Sequence, residues 1–168
     1  MATEALALEG IDALYGESHV LRSVSFALGE GRVLALLGRN GAGKTTCMNS
    51  VIGFLPPRKG AVRLFGEPVE RLAPDVISRK GVGLEPQGRR VFPRLTVHEN
   101  LIVAEVGRTI AKLKAEGQSI VLVEQNVKLA FSLADEVVIL NTGRVAFSGP
   151  VEAVRDNESL ITQHLGVF

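Results

Sequence analysis

One stretch, residues 38–46, constrains the fold of this chain more than any other part of the sequence. It fits the pattern G-x-x-x-x-G-K-[ST] at every fixed position, with the residues Gly38, Arg39, Asn40, Gly41, Ala42, Gly43, Lys44, Thr45 and Thr46. An apolar run at 33–37 predicts a buried strand before it, and residues 45–52 predict a helix that Gly53 ends. A strand, a glycine-rich loop and a helix in this order are typical of a phosphate-binding site.

The residue types of this phosphate loop (residues 38–46) suit the binding of an anion. Its glycines let the backbone curve around a phosphate with no Cβ in the way, and the backbone N–H groups then point inward. The start of the following helix adds about half a positive charge. Lys44 is expected to reach the β- and γ-phosphates, and Thr45 to place its hydroxyl on Mg²⁺. The loop therefore predicts a nucleotide bound with Mg²⁺.

Composition narrows the remaining function classes. The chain has 168 residues and a net charge of +1, so we expect one domain over residues 1–168 and no nucleic-acid partner. No apolar run approaches the roughly 20 residues of a membrane span. The N-terminus includes Glu4 and lacks the basic start that is typical of a signal peptide. The single cysteine, Cys47, excludes an intrachain disulfide. These features indicate a cytosolic protein.

Patterns typical of strands and helices alternate along the chain and predict an α/β fold. Two strands ahead of the phosphate loop, joined by short turns, predict an antiparallel β flank beside a parallel core sheet. The predicted strands are residues 6–15, 20–28, 33–37, 61–65, 81–84, 119–123, 137–140 and 144–147, with a turn at 66–68. The predicted helices are residues 45–52, 74–80, 105–116, 127–133, 151–154 and 159–165. Thr96, with Glu99 three residues later, is typical of a capping box.

Several separated stretches resemble the ATP-binding subunits of ABC transporters. Residues 84–88 are similar to the family's Q-loop, in which Gln87 would contact Mg²⁺ and the attacking water. Residues 96–101 resemble the start of the family's helical subdomain, and residues 135–145 resemble its late hairpin. Tyr15 matches the aromatic residue that stacks on adenine. The resemblance implies a P-loop NTPase fold of the ABC-ATPase type, with ATP and Mg²⁺ as cofactors.

Within that family, residues 86–92 and 123–127 are most similar to the subunits of branched-chain amino acid importers. Gln125 stands where most members carry the histidine that senses the γ-phosphate, and glutamine can donate to phosphate but cannot carry a proton. The resemblance implies MgATP hydrolysis that drives amino acid import. It assigns Gln87 and Gln125 to the catalytic site, Tyr15 and the phosphate loop to ATP, and Thr45 and Gln87 to Mg²⁺.

The same resemblance implies the partners and the location of such a subunit. A second ATP-binding subunit, identical or different, would close over two ATP molecules. Transmembrane permease subunits would receive the motion, and a solute-binding protein would act indirectly. The protein would then lie in the cytoplasm, peripherally on the inner face of the cell membrane.

Two elements that the family requires are missing from the sequence. There is no L-S-G-G-Q signature, and no apolar strand ends in the aspartate and glutamate of the Walker B motif. The helical subdomain is therefore largely absent, and we expect that a segment is missing near residues 104–105. With the Walker B strand placed beside the phosphate-loop strand, its loss would leave a slot about 10 Å wide. Each unpaired buried backbone group in that slot would cost about 1–3 kcal/mol.

Two other functions remain open on the residues alone. The first is a nucleotide-binding module without turnover, which follows from the missing signature and Walker B motif. The second is a small P-loop phosphotransferase in which the apolar run 120–123 ends at Glu124, which would then hold Mg²⁺. The simpler interpretation of Glu124 is a glutamate at the exit of a buried strand.

Overall fold

A computed structural model describes residues 3–83, 99–155 and 157–166, with residues 99–106 and 158 described by their backbone alone. The strands are β1 (Glu4–Tyr15), β2 (Ser18–Gly29), β3 (Val33–Leu37), β4 (Lys59–Leu64), β5 (Glu67–Pro68), β6 (Ile120–Val123), β7 (Glu136–Asn141) and β8 (Arg144–Pro150). The helices are α1 (Lys44–Val51), α2 (Pro74–Arg79), α3 (Glu99–Ala115), α4 (Val127–Leu133), α5 (Glu152–Arg155) and α6 (Glu158–Leu165).

The central sheet places the phosphate-loop strand between two parallel neighbours. Its order is β6-β3-β7-β8, and β3 pairs in parallel with β6 on one side and with β7 on the other. All five residues of β3 are buried, as expected for a strand that is covered on both faces. The carboxyl ends of β3 and β6 meet at one edge of the sheet, which is where ligands bind in such folds. The predicted parallel core is confirmed.

A second sheet forms the predicted antiparallel flank. Its order is β2-β1-β4-β5, and β1 pairs antiparallel with β2 and with β4. β1 and β2 form a long hairpin that brings residues from the start of the chain next to the phosphate loop.

Side chains on β3 alternate between two hydrophobic cores, because successive residues of a strand point to opposite faces. Leu34 and Leu36 pack in the core beneath the antiparallel sheet, with α1 and residues of β1 and β2. Val33, Ala35 and Leu37 pack on the other face, against residues of α3, α4 and α6. Both ends of the chain therefore contribute to the burial of the same strand.

Two local predictions are wrong in detail. Residues 81–83 do not form a strand, since Gly81 closes α2 by donating its N–H to Ser78 O at a φ of +95°. Residues 67–68, predicted as part of a turn, form the short strand β5.

Leu84 and the proposed cap Thr96 lie outside the described residues. The helix predicted over 105–116 begins earlier, and α3 runs without a break through residues 104 and 105.

In the part of the chain that the structure describes, no empty strand position lies beside the phosphate-loop strand. β6, which follows α3 in the chain, fills the position next to β3, with Leu36 opposite Val123. Among the described residues, the sheet ends at β6 instead of having an empty strand position inside it. The next strand along the chain occupies the neighbouring place, so β3 is paired on both sides.

An ion pair fixes the amino end of the central sheet. Asp135, just before β7, accepts hydrogen bonds from Val33 N at 2.9 Å and from Lys114 Nζ at 2.6 Å. Burial alone would raise the pKa of this carboxyl, but the hydrogen bonds and the charge of Lys114 outweigh it and hold the pKa below its usual range. Asp135 thus ties α3, β3 and β7 together.

We expect Asp135→Asn to destabilise the fold at neutral pH by about 1–3 kcal/mol, because an uncharged amide replaces the carboxylate that is ion-paired with Lys114. A carboxyl whose folded pKa is lowered contributes stability that is present above its unfolded pKa of about 3.9 and is lost as pH falls through the folded value. The difference between variant and native protein should therefore shrink below about pH 4. Urea unfolding at pH 7 and pH 3 measures it.

Asp75→Asn is the control for this measurement. Asp75 also bonds a cation, Arg79 at 2.7 Å, but both side chains are more than half exposed. Exposed pairs contribute about 0–1 kcal/mol. Equal losses in the two variants would show that Asp135 is not an anchor of the sheet.

Candidate functional site

The phosphate loop offers a row of backbone donors. Gly41 and Gly43 have φ values of +79° and +107°, which only glycine adopts without strain. The N–H groups of Gly41, Gly43, Lys44 and Thr45 donate to no acceptor in the part of the chain that the structure describes. The N-cap of α1, Gly43, has no side-chain cap, and the first turn carries no acidic residue. This arrangement is open to an anion.

Lys44 is buried in the loop with one donor to spare. Only 7% of its surface is exposed, and its Nζ donates to Gly38 O at 2.6 Å and to Arg39 O at 3.1 Å. Burial lowers the pKa of the ammonium group. Because an ammonium group has three donors, one remains for a phosphate oxygen.

The residues available for Mg²⁺ fit a site that the nucleotide completes. Thr45 is exposed in the first turn of α1, where its hydroxyl can reach an ion beside the phosphates. Gln87, the other predicted ligand, lies outside the described residues. Among the residues that are described, no group of three or more His, Cys, Asp or Glu side chains could hold a metal alone. Mg²⁺ would therefore depend on nucleotide oxygens, as it commonly does.

The turn between β7 and β8 holds the phosphate loop in place. Gly143 donates its N–H to Ala42 O at 3.0 Å and accepts from Arg22 N at 2.8 Å, so the turn lies between the loop and β2. A Cβ on Gly143 would stand 1.8 Å from Val20 O. No side chain fits at this position.

A second close approach joins the same two segments. A Cβ on Gly38 would lie 2.5 Å from Leu140 O, at the end of β7. Thr142 and Gly143 form the two-residue turn with φ values of +49° and +74°, as a type I′ hairpin requires. The sequence predicted this hairpin but not its contact with the loop. The one sequence feature at this contact is the glycine in the turn, and the hairpin geometry alone already accounts for that glycine.

A cavity of about 420 Å³ opens beside the phosphate loop, where β6 ends and α4 begins. Gln125 Nε2 donates to Asn40 Oδ1 at 3.1 Å, which brings this predicted site residue to the loop. Glu124 lines the same cavity. The described lining residues are Leu37, Gly38, Arg39, Asn40, Glu124, Gln125, Val127, Leu165 and Gly166.

The end of α6 forms another wall of this cavity, which the sequence did not predict. A Cβ on Gly166 would lie 2.6 Å from Nη2 of Arg39, so the guanidinium packs directly on the backbone there. His164 Nδ1 lies 3.1 Å from Asn141 Nδ2, at the end of β7. The side chain of Arg39 therefore faces the end of α6, while its carbonyl oxygen accepts a hydrogen bond from Lys44 Nζ within the loop.

Tyr15 lies at the end of β1 with about half of its surface exposed, which leaves the ring open for stacking. Its hydroxyl accepts a hydrogen bond from Asn49 Nδ2 at 3.2 Å. Asn49 is five residues after Lys44 in the same helix, or roughly 7.5 Å along the axis. The structure thus brings Tyr15 to the helix that follows the phosphate loop.

Comparison with known proteins decides the family. A family model described as ABC transporter matches residues 21–144, which is well over half of the chain and includes the phosphate loop. The chain belongs to the ABC transporter family. Members of this family bind ATP and in general hydrolyse it.

Two relatives that match almost the whole chain are branched-chain amino acid transport proteins. The high-affinity branched-chain amino acid transport ATP-binding protein BraG of Pseudomonas aeruginosa is 25% identical, with 96% of this chain and 99% of the relative covered. BraF of the same organism is also 25% identical, over 99% of both chains. A ribose import ATP-binding protein of Rhizobium etli is 39% identical but covers 67% of this chain and 22% of its own length.

Solved structures agree on the fold. The ATP-binding subunit of an ABC transporter superposes with a TM-score of 0.74 at 21% identity, covering 93% of this chain and 94% of that one. A nucleotide-free ATP-binding cassette gives 0.77 at 15% identity, covering 98% and 99%. The predicted P-loop NTPase fold of the ABC-ATPase type is confirmed. No helix in the described ranges is both long and apolar enough to cross a bilayer.

The match to BraG also shows that this chain is shorter than BraG at positions within the aligned region. The alignment has 231 positions, and 96% of 168 residues is about 161, so about 70 positions have no residue in this chain. Because the alignment nonetheless covers 99% of BraG, those positions are internal to the match.

We expect Gly143→Ala to weaken ATP binding about tenfold or more, because the new Cβ must push the turn away from β2 and the loop must follow. Calorimetric titration with ATP measures this at a temperature where circular dichroism shows a folded protein. AMP should be affected less than ATP, since the loop is expected to hold the outer phosphates.

Gly66→Ala is a matched control. Gly66 is also the second residue of a two-residue hairpin turn, with a φ of +80°, but a Cβ there meets nothing within 4 Å. The alanine of Gly66→Ala has a similar backbone strain but no steric clash, so ATP affinity should stay within about twofold. An unchanged affinity in Gly143→Ala would mean that the turn does not position the loop.

Proposed function

We propose that this chain is the ATP-binding subunit of an ABC importer, which binds and hydrolyses MgATP to drive import of branched-chain amino acids. The observation that carries the proposal is the phosphate loop of this family member, in which four N–H groups donate to no acceptor within the described ranges. Family membership decides against a small phosphotransferase.

The choice of amino acids as cargo rests on how much of the chain is matched. BraG and BraF match 96% and 99% of it, whereas the ribose import relative of Rhizobium etli matches 67%. A partial match includes the nucleotide site that all family members share. We therefore give more weight to the relatives that match nearly the whole chain.

The residues divide the work of binding in a simple way. Tyr15 stacks on the adenine, and the loop N–H groups with the third donor of Lys44 hold the phosphates. The Thr45 hydroxyl and Gln87 hold Mg²⁺, which neutralises charge on the β- and γ-phosphate oxygens. Gln125, already bonded to Asn40, donates to the γ-phosphate.

The partners follow from the same proposal. A second ATP-binding subunit and transmembrane permease subunits complete the transporter, and a solute-binding protein delivers the cargo. The chain then works at the cytoplasmic face of the inner membrane. Uptake of labelled leucine and labelled ribose in cells depleted of this protein tests the cargo: loss of ribose uptake alone would contradict it.

We also propose that residues 1–168 form one nucleotide-binding domain that lacks the segment with the signature and Walker B motif. The roughly 70 unmatched internal positions of BraG support this. Peptide mapping by mass spectrometry of the protein isolated from its source tests it. A tryptic peptide covering residues 95–108 is expected, and peptides that place further residues between 101 and 106 would show that the segment is present.

Binding without turnover is the alternative, because the carboxylates of the Walker B motif are absent. Phosphate release in the presence of MgATP separates the two functions. Turnover on the order of 1 s⁻¹ or faster would exclude the binding-only module.

We expect Lys44→Ala to lower ATP affinity roughly 10- to 150-fold, since a hydrogen bond to a charged group contributes about 1.5–3 kcal/mol. AMP affinity should change little. Lys112→Ala, which alters an exposed lysine on α3, should leave both affinities unchanged. If Lys44→Ala binds ATP as the native protein does, the lysine does not face the phosphates.

A further inference from the structure

The sequence contains one aspartate–glutamate pair beside a core strand, and it lies at the wrong end of the sheet. Glu136 begins β7, and Asp135, just before it, accepts hydrogen bonds from Val33 N and Lys114 Nζ. Val33 comes five residues before Gly38, and a parallel strand rises about 3.3 Å per residue, so the pair is roughly 16 Å from the loop. It cannot act on the phosphates.

Glu124 lies at the right end. It follows β6 directly, and β6 runs parallel to β3 with Val123 opposite Leu36, which places Glu124 level with the start of the phosphate loop. It lines the cavity of about 420 Å³ together with Gly38 and Asn40. Among the described lining residues, Glu124 is the one carboxylate. The cavity is large enough for water beside a γ-phosphate.

The carboxylate is also held in a fixed orientation. Glu124 Oε2 accepts from Gln125 N at 3.0 Å and from Asn126 N at 3.3 Å. Its other oxygen has no hydrogen-bond partner within the described ranges. Gln125 in turn donates to Asn40, so the backbone that carries Glu124 is tied to the phosphate loop. A carboxylate positioned in advance of the reaction is what proton abstraction from water requires.

We propose that Glu124 is the carboxylate that orients the attacking water at this site, an assignment that rests on the proposed ATP hydrolysis. The water oxygen forms a bond to the γ-phosphorus while the bond from that phosphorus to the bridging oxygen breaks. The electron pair of the broken bond stays on that oxygen, which leaves with ADP. A proton of the water passes to Glu124, which releases it to solvent.

Glu124→Gln tests the assignment without disturbing the start of α4. The amide oxygen of glutamine still accepts the two backbone N–H groups, but it cannot take a proton. Phosphate release should fall by about 100-fold or more, while the Kd for MgATP, measured by calorimetry, stays within about threefold. Glu136→Gln is the control: it changes a strand-end glutamate at the opposite end of the sheet and should preserve turnover and binding.

The outcomes separate this assignment from the proposed function. Turnover in Glu124→Gln within about threefold of the native rate would overturn the assignment and leave the importer proposal standing. A native protein that binds MgATP and releases no phosphate would also overturn it, because Glu124 would then supply no catalysis. A native protein that does not bind MgATP would contradict the proposed function, and this assignment with it.

Discussion

The phosphate loop is open to an anion because the protein holds it by its carbonyl oxygens. Ala42 O accepts from the hairpin turn at Gly143, and Gly43 O accepts from Cys47 in α1. The carbonyls of Gly38 and Arg39 accept from the ammonium group of Lys44. These four carbonyls have protein donors, whereas the N–H groups of Gly41, Gly43, Lys44 and Thr45 donate to no acceptor among the residues that the structure describes. A loop held through its N–H groups would have no donors left for phosphate.

The central sheet separates two chemistries at its two ends. At the amino end, Asp135 bonds Lys114 and Val33 N, and Arg32 lies 3.4 Å from Glu136, so charges there are paired within the protein. At the carboxyl end, four N–H donors of the phosphate loop have no acceptor among the residues that the structure describes. Because β3, β6 and β7 are parallel, their amino ends lie together at one edge of the sheet and their carboxyl ends lie together at the other. The polarity of the sheet thus decides which acidic residues stabilise the fold and which one can act on a nucleotide.

Local patterns predicted the parts that depend on local chemistry. The phosphate loop, β3 and α1 follow from residues close together in sequence, and so does the hairpin around Gly143. The pairing of β6 with β3 joins residues about 87 apart, and no local pattern specifies it. The packing of α6 against Arg39 was missed for the same reason. Gln87 was named from resemblance alone and lies outside the described residues, so its role stays a prediction.

Shortening a family member need not remove its nucleotide site, because the parts of that site are distributed unevenly along the chain. Tyr15, the loop and Gly143 come from the first 50 residues and from the β7–β8 hairpin, and their mutual hydrogen bonds involve no residue between these two regions. These contacts position the residues that we propose bind adenine and phosphate. The groups that would act on the γ-phosphate come from the other regions instead, at the end of β6 and at Gln87. Loss of an internal segment therefore bears on hydrolysis before it bears on binding, and the carboxylate at the end of β6 becomes the residue on which turnover depends.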